Sequence, residues 1–180
     1  MYIKQNDIVV RSATLEDAEI LTTWWNDGSV MAHAGYPRGL GTTIEAVKSG
    51  IKEKQNSLAQ RCIIEVSNQR IGECNYNLKD NQAEIGIKLC DDSFQNRGLG
   101  TKVLKMLIEF LFTDKNIANA YNLEKIILDT NAKNTRAQHV YEKLRFRKVR
   151  TNIDVWRDQL GELQTSIDYE MTIEDFKKHF

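Results

Sequence analysis

The segment Gln95–Thr101 reads QNRGLGT and separates an alternating β pattern from a long helical pattern. Glycines at the start of a helix let a ligand approach the backbone closely, and the first free N–H groups of the helix suit a phosphate or diphosphate. The segment lacks the pattern G-x-x-x-x-G-K-S/T, and Val103 stands where a dinucleotide fingerprint has its third glycine. We therefore expect an anion-binding turn of another kind, with an ordinary helix start as the alternative.

The segments on either side of this turn predict a sheet and a helix. Upstream, apolar and polar residues alternate in three runs, Cys62–Val66, Arg70–Leu78 and Ala83–Cys90, which indicates an antiparallel meander. Downstream, apolar residues recur on one side of a helix over Leu99–Leu111, and a strand follows at Lys125–Thr130. Since that helix crosses between two strands, the sheet must contain one parallel pair.

The rest of the chain predicts further strands and helices. A strand at Ile8–Ala13 leads into a capping box at 14–17, which opens a first helix, and a second box at 42–45 opens another. A helix from Asn134 carries Tyr141, and two strands follow near 146–151 and 165–172, joined by a polar loop that contains Trp156. The order β, α, α, β, β, β, α, β, α, β, β predicts a single domain, 1–180, of the α/β class (α+β type), with a mixed, mostly antiparallel sheet.

The composition excludes several classes of protein. The 180 residues include 25 Lys and Arg against 25 Asp and Glu, so the formal net charge is zero, and the pI of 6.8 disfavours a nucleic-acid partner. Three cysteines and three histidines show no ligand spacing, which predicts neither a metal site nor disulfides. No stretch approaches the roughly 18 apolar residues of a membrane span, and the N-terminus has no leader pattern. We expect a cytoplasmic protein without a membrane partner.

Two motifs together resemble the GNAT N-acetyltransferase superfamily. The first is Gln95-x-x-Gly98-x-Gly100 after the meander, and the second runs from Asn134-Thr135-Arg136-Ala137 into Tyr141-Glu142-Lys143-Leu144-Arg145-Phe146, with one strand between them. Trp25-Asn26-Asp27 further resembles the branch of Rim-type ribosomal-protein N-terminal acetyltransferases and aminoglycoside 6'-N-acetyltransferases. The resemblance implies the acyl-CoA N-acyltransferase fold, with helices on both faces of the sheet and its parallel pair at the cofactor site.

The resemblance also implies acetyl-CoA as the acetyl donor, without a metal. The strands before the turn and after the helix would splay apart, and the pantetheine arm would fill the gap like an added strand. Asn134 would contact the same arm, and it also suits a helix N-cap. The implied cofactor residues are Lys88, Leu89, Cys90, Gln95, Asn96, Arg97, Gly98, Gly100, Thr101 and Asn134.

Tyr141 matches the family tyrosine that acts as general acid toward the departing CoA thiolate. A phenol with a pKa of about 10 keeps its proton at neutral pH and can still share it. The alternative is an ordinary aromatic side chain of the core. Arg145 departs from the family pattern, because a glycine usually stands there at the helix C-terminus.

A base is harder to assign from the sequence. An attacking amine must lose a proton, and a carboxylate is the usual acceptor. Glu84 matches the position of the family's strand glutamate, and Glu73 on the preceding strand is second. Both can instead be solvated charges, and positioning alone can suffice. Cys90 as a nucleophile is disfavoured, since no histidine partner is evident.

The acceptor side is predicted from the family as 24–41 and 152–164, with Trp25, Tyr36, Glu73 and Trp156 as candidate contacts. The acceptor stays open between a protein N-terminus and a small amine such as a polyamine or aminoglycoside. A deep acidic pocket would favour the small cation, and an open groove flanked by strand edges would favour a peptide. A non-catalytic acyl-CoA-binding or sensor module on the same fold is the alternative function, and a homodimer stays open.

Overall fold

The computed structural model describes residues 1–53 and 58–180, which form one eight-stranded sheet in the order β1-β2-β3-β4-β5-β6-β8-β7. Within these residues the β5–β6 pair is parallel and every other pair is antiparallel, as predicted. The strands are β1 Tyr2–Gln5, β2 Ile8–Ser12, β3 Ala59–Val66, β4 Gln69–Lys79, β5 Gln82–Leu89, β6 Lys125–Asn131, β7 Arg147–Arg157 and β8 Leu163–Thr172.

Helices pack on both faces of the sheet. The helices are α1 Ala18–Asn26, α2 Gly28–Met31, α3 Ile44–Glu53, α4 Leu99–Thr113, α5 Lys115–Tyr121, α6 Thr135–Lys143 and α7 Ile173–His179. The larger apolar cluster lies between the sheet and α4, where the whole predicted apolar side of α4 is buried. A smaller cluster lies on the other face, where α1 and α3 pack against Ile63 and Cys90. The sheet is thus covered on both sides, which leaves ligand access at the point where its strands separate.

Several elements were not predicted. The strand β1, the short helices α2 and α5, and the C-terminal α7 are additional, and α7 begins with a capping box formed by Thr172 and Asp175. Of the second predicted box, Thr43 rather than Thr42 accepts a hydrogen bond at the start of α3, from the Ala46 amide at 3.2 Å. The first box, at Thr14, is confirmed.

The prediction that Trp156 lies in a polar loop is wrong. β7 extends to Arg157, and Trp156 pairs with Gln164 of β8. The register shifts between Asn152 and Trp156, where the strand bulges. A bulge breaks the period-two pattern, so an alternation rule ends the strand too early.

The turn after α6 forms although Arg145 replaces the usual glycine. Arg145 has φ +71°, in the left-handed region. Its amide donates to the Glu142 carbonyl, and the Phe146 amide donates to the Tyr141 carbonyl, each at 3.0 Å. The helix therefore ends with the backbone geometry that a glycine would give. Because Arg145 carries a side chain, this left-handed conformation is strained.

Candidate active site

The strands β5 and β6 pair at three positions and then separate. Residues 82–84 pair with 125–127, after which β5 continues to Leu89 and β6 to Asn131 without a further pair between these two described strands. A cavity of about 1210 Å³ opens in the gap. Its walls come from both strands, the start of α4, α6 and the segment after α1. The parting of the strands agrees with the expectation from the sequence resemblance and creates the site.

The turn into α4 presents unpaired backbone amides. Gly98 is the N-cap, with φ +73°, and no side chain caps the helix. A Cβ on Gly98 would meet nothing within 4 Å, so glycine is needed there for its backbone angle and not for space. In the described part of the chain, no group accepts a hydrogen bond from the amides of Arg97–Thr101. This side of the cavity, with the first turns of α6, is called the donor side.

Gln95 joins the two helices of the donor side. Its side-chain Nε2 donates to the Leu89 carbonyl at 3.3 Å and to Asp92 Oδ1 at 2.5 Å, and its Oε1 accepts from the Arg136 guanidinium. On α6, the Asn134 side chain accepts from the Ala137 amide at 3.2 Å, so the predicted N-cap is present. Both side chains line the cavity while they also hold local structure.

The edge of β5 that faces the gap has no strand partner in the described chain beyond Glu84, although the Leu89 carbonyl accepts a hydrogen bond from Gln95. The Cys90 amide donates to the Ile71 carbonyl of the β4 side at 2.9 Å. Because successive peptide groups of a strand point to opposite sides, the backbone groups of Leu89 face the gap. Lys88 and Leu89 line the cavity. An extended chain lying in the gap could therefore pair with this edge.

The Cys90 thiol does not line the cavity. It is buried in the smaller apolar cluster with Leu21 and Trp24 of α1. Burial and the charge of Glu73 raise the pKa of this thiol to about 12. A thiol that keeps its proton is a poor nucleophile, so the geometry supports the packed-cysteine interpretation.

Tyr141 lines the cavity. Its side chain is 6% exposed and meets the Tyr169 ring edge-on, with ring centroids 5.5 Å apart. Burial, then the charge of Asp129 and the Tyr169 phenol, raise the pKa of Tyr141 to about 12. No described residue forms a hydrogen bond with its hydroxyl. The phenol is protonated at neutral pH and free to donate to a ligand.

Glu73 is held in a network of its own. It is 3% exposed and contacts Arg61 at 2.6 Å, Lys88 at 3.2 Å and Trp25 Nε1 at 2.8 Å. Burial alone would raise its pKa, but the charges of Lys88 and Arg61 and the indole hydrogen bond outweigh burial and hold the pKa below its usual value. With these donors already bound to it, Glu73 is a structural anion at the cavity wall.

The opposite wall, called the acceptor side, consists of α2, the 3-10 turn Ala32–Ala34, Trp156 and the polar face of β5, β6 and β8. Trp156 packs on Gly35, where a Cβ would lie 2.4 Å from the indole ring. Gln159, in the turn between β7 and β8, donates to the Gly39 carbonyl at 3.0 Å and accepts from the Arg38 amide at 2.9 Å. These contacts fix the segment after α1 beside the cavity.

Most of the predicted residues are brought together, and four lie outside the cavity. Among the residues that the structure describes, its lining includes Glu73, Glu84, Lys88, Leu89, Gln95, Asn96, Gly98, Gly100, Thr101, Asn134, Tyr141 and Trp156. The predicted positions that do not line it are Trp25, Tyr36, Cys90 and Arg97. Trp25 stacks on the Arg61 guanidinium at 4.4 Å, and Arg97 lies over the Phe94 ring at 5.3 Å.

Asp129 of β6 lines the cavity and was not singled out from the sequence. It pairs directly with Asp168 of β8, on the face of the sheet that also carries Glu84. Partial burial, then the charges of Asp168 and Glu84, raise the pKa of Asp129. The side chain nevertheless stays accessible to solvent. Asp129 follows the apolar run Ile126–Leu128, and the period of two along a strand places it on the face opposite Ile126 and Leu128.

Two properties of the described residues bear on other kinds of site. Within 1–53 and 58–180, no group of three or more His, Cys, Asp or Glu side chains could hold a metal ion. In the same residues, no helix has the length and apolar character needed to cross a membrane.

Comparison with known proteins gives a family and several similar folds. A sequence profile described as the acetyltransferase (GNAT) domain matches residues 7–147. A sequence search among curated proteins gives no significant match.

Solved structures cover almost the whole chain. The ribosomal protein alpha-N-acetyltransferase RimL in complex with coenzyme A is 17% identical, over 97% of this chain and 99% of that one, with a TM-score of 0.81. Spermidine N-acetyltransferase from Vibrio cholerae, in complex with CoA and spermine, is 16% identical over 96% and 99%, with a TM-score of 0.82. The microcin self-immunity acetyltransferase MccE, with acetyl-CoA and AMP, is 17% identical over 94% of each chain, with a TM-score of 0.78. At these identities the likeness concerns the fold.

Proposed function

The chain belongs to the GNAT acetyltransferase family, and from this premise we propose that it is an acetyl-CoA-dependent N-acetyltransferase acting on primary amines. The observation that carries the proposal is the cavity between β5 and β6, where unpaired helix amides and a buried, unpaired phenol face the same space. We further propose that residues 1–180 form one such domain and that it works in the cytoplasm, where its free cysteines Cys62, Cys74 and Cys90 stay reduced.

The donor side has the chemistry to hold acetyl-CoA. The amides of Arg97–Thr101 and the positive end of the α4 dipole suit its diphosphate. Lys133, Arg136 and Lys143 add positive charge to the same wall. The open edge of β5 at Leu89 suits the amide groups of the pantetheine arm. Bound there, acetyl-CoA would supply an activated acetyl thioester.

Tyr141 is proposed as the general acid. When the thioester C–S bond breaks, the leaving sulfur carries negative charge and needs a proton. The Tyr141 hydroxyl is protonated, belongs to a buried side chain that lines the cavity, and has no competing partner among the described residues. Proton donation from a positioned group contributes about 10²- to 10⁴-fold to a rate.

The acceptor side favours an amine that carries positive charge. Glu84 and Asp129 face the cavity, and Glu84 stays the sequence-based candidate for the base. A negative wall attracts an ammonium group and raises its local concentration. The site therefore suits small cationic amines, with a protein N-terminus as the second candidate acceptor.

Release of CoA thiol tests the proposal. Purified protein and acetyl-CoA are mixed with spermidine, kanamycin, lysine and a short peptide with a free N-terminus, and thiol is followed with a chromogenic reagent. At least one amine should raise release well above the amine-free background. Tight binding of acetyl-CoA in calorimetry together with background release for every amine would favour the non-catalytic binding module instead.

A further inference from the structure

A chain of polar side chains joins β6 to the turn between β7 and β8, residues 158–162. Asn131, the last residue of β6, lines the cavity, and its Nδ2 donates to Gln164 Oε1 at 3.0 Å. Gln164 Nε2 donates in turn to Asp158 Oδ2 at 2.7 Å. Gln164 is only 3% exposed, and Asn131 is buried as well. Buried polar groups are costly unless they are hydrogen-bonded, so these contacts hold the side chains in one arrangement.

The hydrogen bonds of this chain can run in one direction only. Asn131 Oδ1 accepts from the Lys133 amide at 2.9 Å, which leaves the NH2 group of Asn131 to donate to Gln164. At the other end, Asp158 Oδ1 accepts from two amides of its own turn, at 2.9 and 3.0 Å. Because a carboxylate only accepts hydrogen bonds, the NH2 group of Gln164 must point toward Asp158. The β6–α6 connection and the β7–β8 turn are therefore joined in a defined way.

The same turn binds the acceptor side through Gln159. The Gln159 amide donates to the Gly35 carbonyl at 2.8 Å. Its side chain accepts from the Arg38 amide at 2.9 Å and donates to the Gly39 carbonyl at 3.0 Å. Just before the turn, the Trp156 ring packs on Gly35. The turn thus contacts the acceptor side with its backbone, a polar side chain and the neighbouring ring.

The segment that Gln159 binds is a loop with closed ends. Asn26 and Thr42 exchange hydrogen bonds of 2.8 and 2.9 Å, and the Leu40 amide donates to the Trp25 carbonyl at 2.7 Å. Residues 27–41 between them, called the acceptor loop, supply α2 and the 3-10 turn to the cavity wall. Since the ends are already fixed, the contacts at 35–39 decide where the middle of the loop lies.

We propose that Gln164 and Gln159 are positioning residues that set the acceptor side of the cavity at a fixed distance from the donor side. This inference rests on the proposed acetyltransferase function, and neither side chain lines the cavity. Asn131 accepts from the Asn134 amide at 2.8 Å, where α6 of the donor side begins. The turn 158–162 contacts this connection through Gln164 and the acceptor loop through Gln159, so it acts as a spacer between the two sides.

The spacing matters because direct transfer joins two ligands held by different walls. Reacting atoms must lie about 3–3.5 Å apart, and a misplacement of about 1 Å can cost about 10²-fold in rate. In the proposed function, the donor side holds the thioester and the acceptor side holds the amine. A shifted spacer leaves each wall able to bind its own ligand but misaligns the two ligands. Loss of the Gln164 contact should therefore lower kcat and leave acetyl-CoA affinity unchanged.

The test exchanges donor and acceptor within the chain of side chains. Gln164→Glu places two carboxylates at a contact of 2.7 Å, and Asp158→Asn places two NH2 groups there, so each single variant breaks the contact. The double variant Asp158→Asn/Gln164→Glu restores it in the reverse direction, and its new carboxylate still accepts from Asn131. With the fastest amine of the panel above, each single variant should lose about 10- to 10²-fold in kcat. The double variant should return to within about threefold of wild type.

Acetyl-CoA binding separates a positioning role from a loss of structure. In calorimetry, all three variants should bind acetyl-CoA with the wild-type Kd and stoichiometry. The matched control is Glu65→Ala, which removes a contact with Arg11 at 2.7 Å. Neither of these two residues lines the cavity, so this variant should melt lower and keep its kcat and amine KM.

Gln159→Ala tests the other contact of the spacer. The Gln159 side chain is exposed, so the variant should fold even if Gln164→Glu does not. It removes the side-chain bonds to Arg38 and Gly39 and lets the acceptor loop move. The amine KM should rise about three- to tenfold at nearly constant kcat, with acetyl-CoA affinity unchanged.

Several results would overturn the inference. They are a wild-type kcat in Gln164→Glu, a double variant that does not recover, and a wild-type amine KM in Gln159→Ala. A fall in acetyl-CoA stoichiometry as large as the fall in rate would reduce Gln164 to a role in stability and would overturn it too. If wild type acetylates no amine, the proposed function itself fails. If wild type and variants react equally fast, only the inference fails.

Discussion

The donor side and the acceptor side of the cavity use different parts of the chain for recognition. The donor side presents backbone amides at Arg97–Thr101, and the gap edge of β5 at Leu89 lies beside it. The acceptor side consists of side chains that meet only in the fold, such as Asp129 and Asp168 from neighbouring strands and Trp156 from β7.

This difference has a consequence for specificity. Backbone groups are the same in every residue, so a turn of fixed shape binds the same ligand when its side chains change. Side chains on strands and loops differ from chain to chain, and they decide which amine fits. We therefore expect variants on the donor side to change acetyl-CoA binding and variants on the acceptor side to change the KM of the amine.

The largest expected effect lies where the two sides meet, at Tyr141. Tyr141→Phe removes the proton donor and keeps the ring in its place against Tyr169. The kcat should fall about 10²- to 10⁴-fold, with the acetyl-CoA Kd unchanged in calorimetry. Tyr169→Phe is the matched control, since its hydroxyl contacts Glu142 at 3.2 Å and is assigned no part in the reaction. Equal rates for Tyr141→Phe and wild type would remove the assigned role.

A smaller effect is expected on the donor side at Gly98. Alanine in the left-handed conformation at φ +73° costs about 1–2 kcal/mol. Without ligand, the turn of the variant therefore relaxes to another backbone angle, and acetyl-CoA binding must restore the original angle. The acetyl-CoA Kd should rise about five- to thirtyfold, and the amine KM should not change. Gly161→Ala, at φ +84° and equally free of contacts, carries similar strain away from the cavity and should bind acetyl-CoA as wild type does.

The reverse pattern is expected at Gly35 on the acceptor side. A Cβ there would lie 2.4 Å from the Trp156 ring, at φ +93°, so the wall must shift. The amine KM should rise up to about tenfold, a loss of about 1.4 kcal/mol, at constant acetyl-CoA affinity. Gly41→Ala has φ +68° and no neighbour within 4 Å, and it should leave the KM near its original value. A weakened acetyl-CoA affinity in Gly35→Ala would contradict the claim that the two sides recognise their ligands separately.

The smallest effect concerns stability at the end of α6. Arg145→Gly relieves the left-handed strain at φ +71°, with part of the gain offset by the flexibility of glycine in the unfolded chain. The free energy of unfolding should rise by about 0.5–1 kcal/mol, which raises Tm by roughly 1–4 °C. Lys148→Gly, at an exposed position of β7, should lower Tm in the same calorimetric scan.

Features encoded in contiguous sequence were predictable. The period-two runs placed β3, β4 and β5, and the apolar side of α4 with its glycine turn located the donor side. The capping pattern at Thr172 and Asp175 was also readable, but the strand pattern before it hid α7. The short exposed strand β1 carries almost no apolar alternation, and its pairing with β2 alone reveals it.

Features that depend on long-range pairing were not predictable. The pairing of Asp129 with Asp168 could be recognised only once β6 is known to lie beside β8, because the two residues are distant along the chain. The helical spacing of Trp25 gave no hint that its indole donates to Glu73, 48 residues away. Such contacts form through the sheet order, which local patterns do not specify.

Amide hydrogen exchange with and without acetyl-CoA tests the central claim most directly. Binding at the proposed place should slow exchange at the amides of Arg97–Thr101 and at the gap edge of β5 around Leu89, and should leave α1 and α3 unchanged. Saturation with acetyl-CoA that leaves exchange in the turn before α4 unaltered would contradict the account.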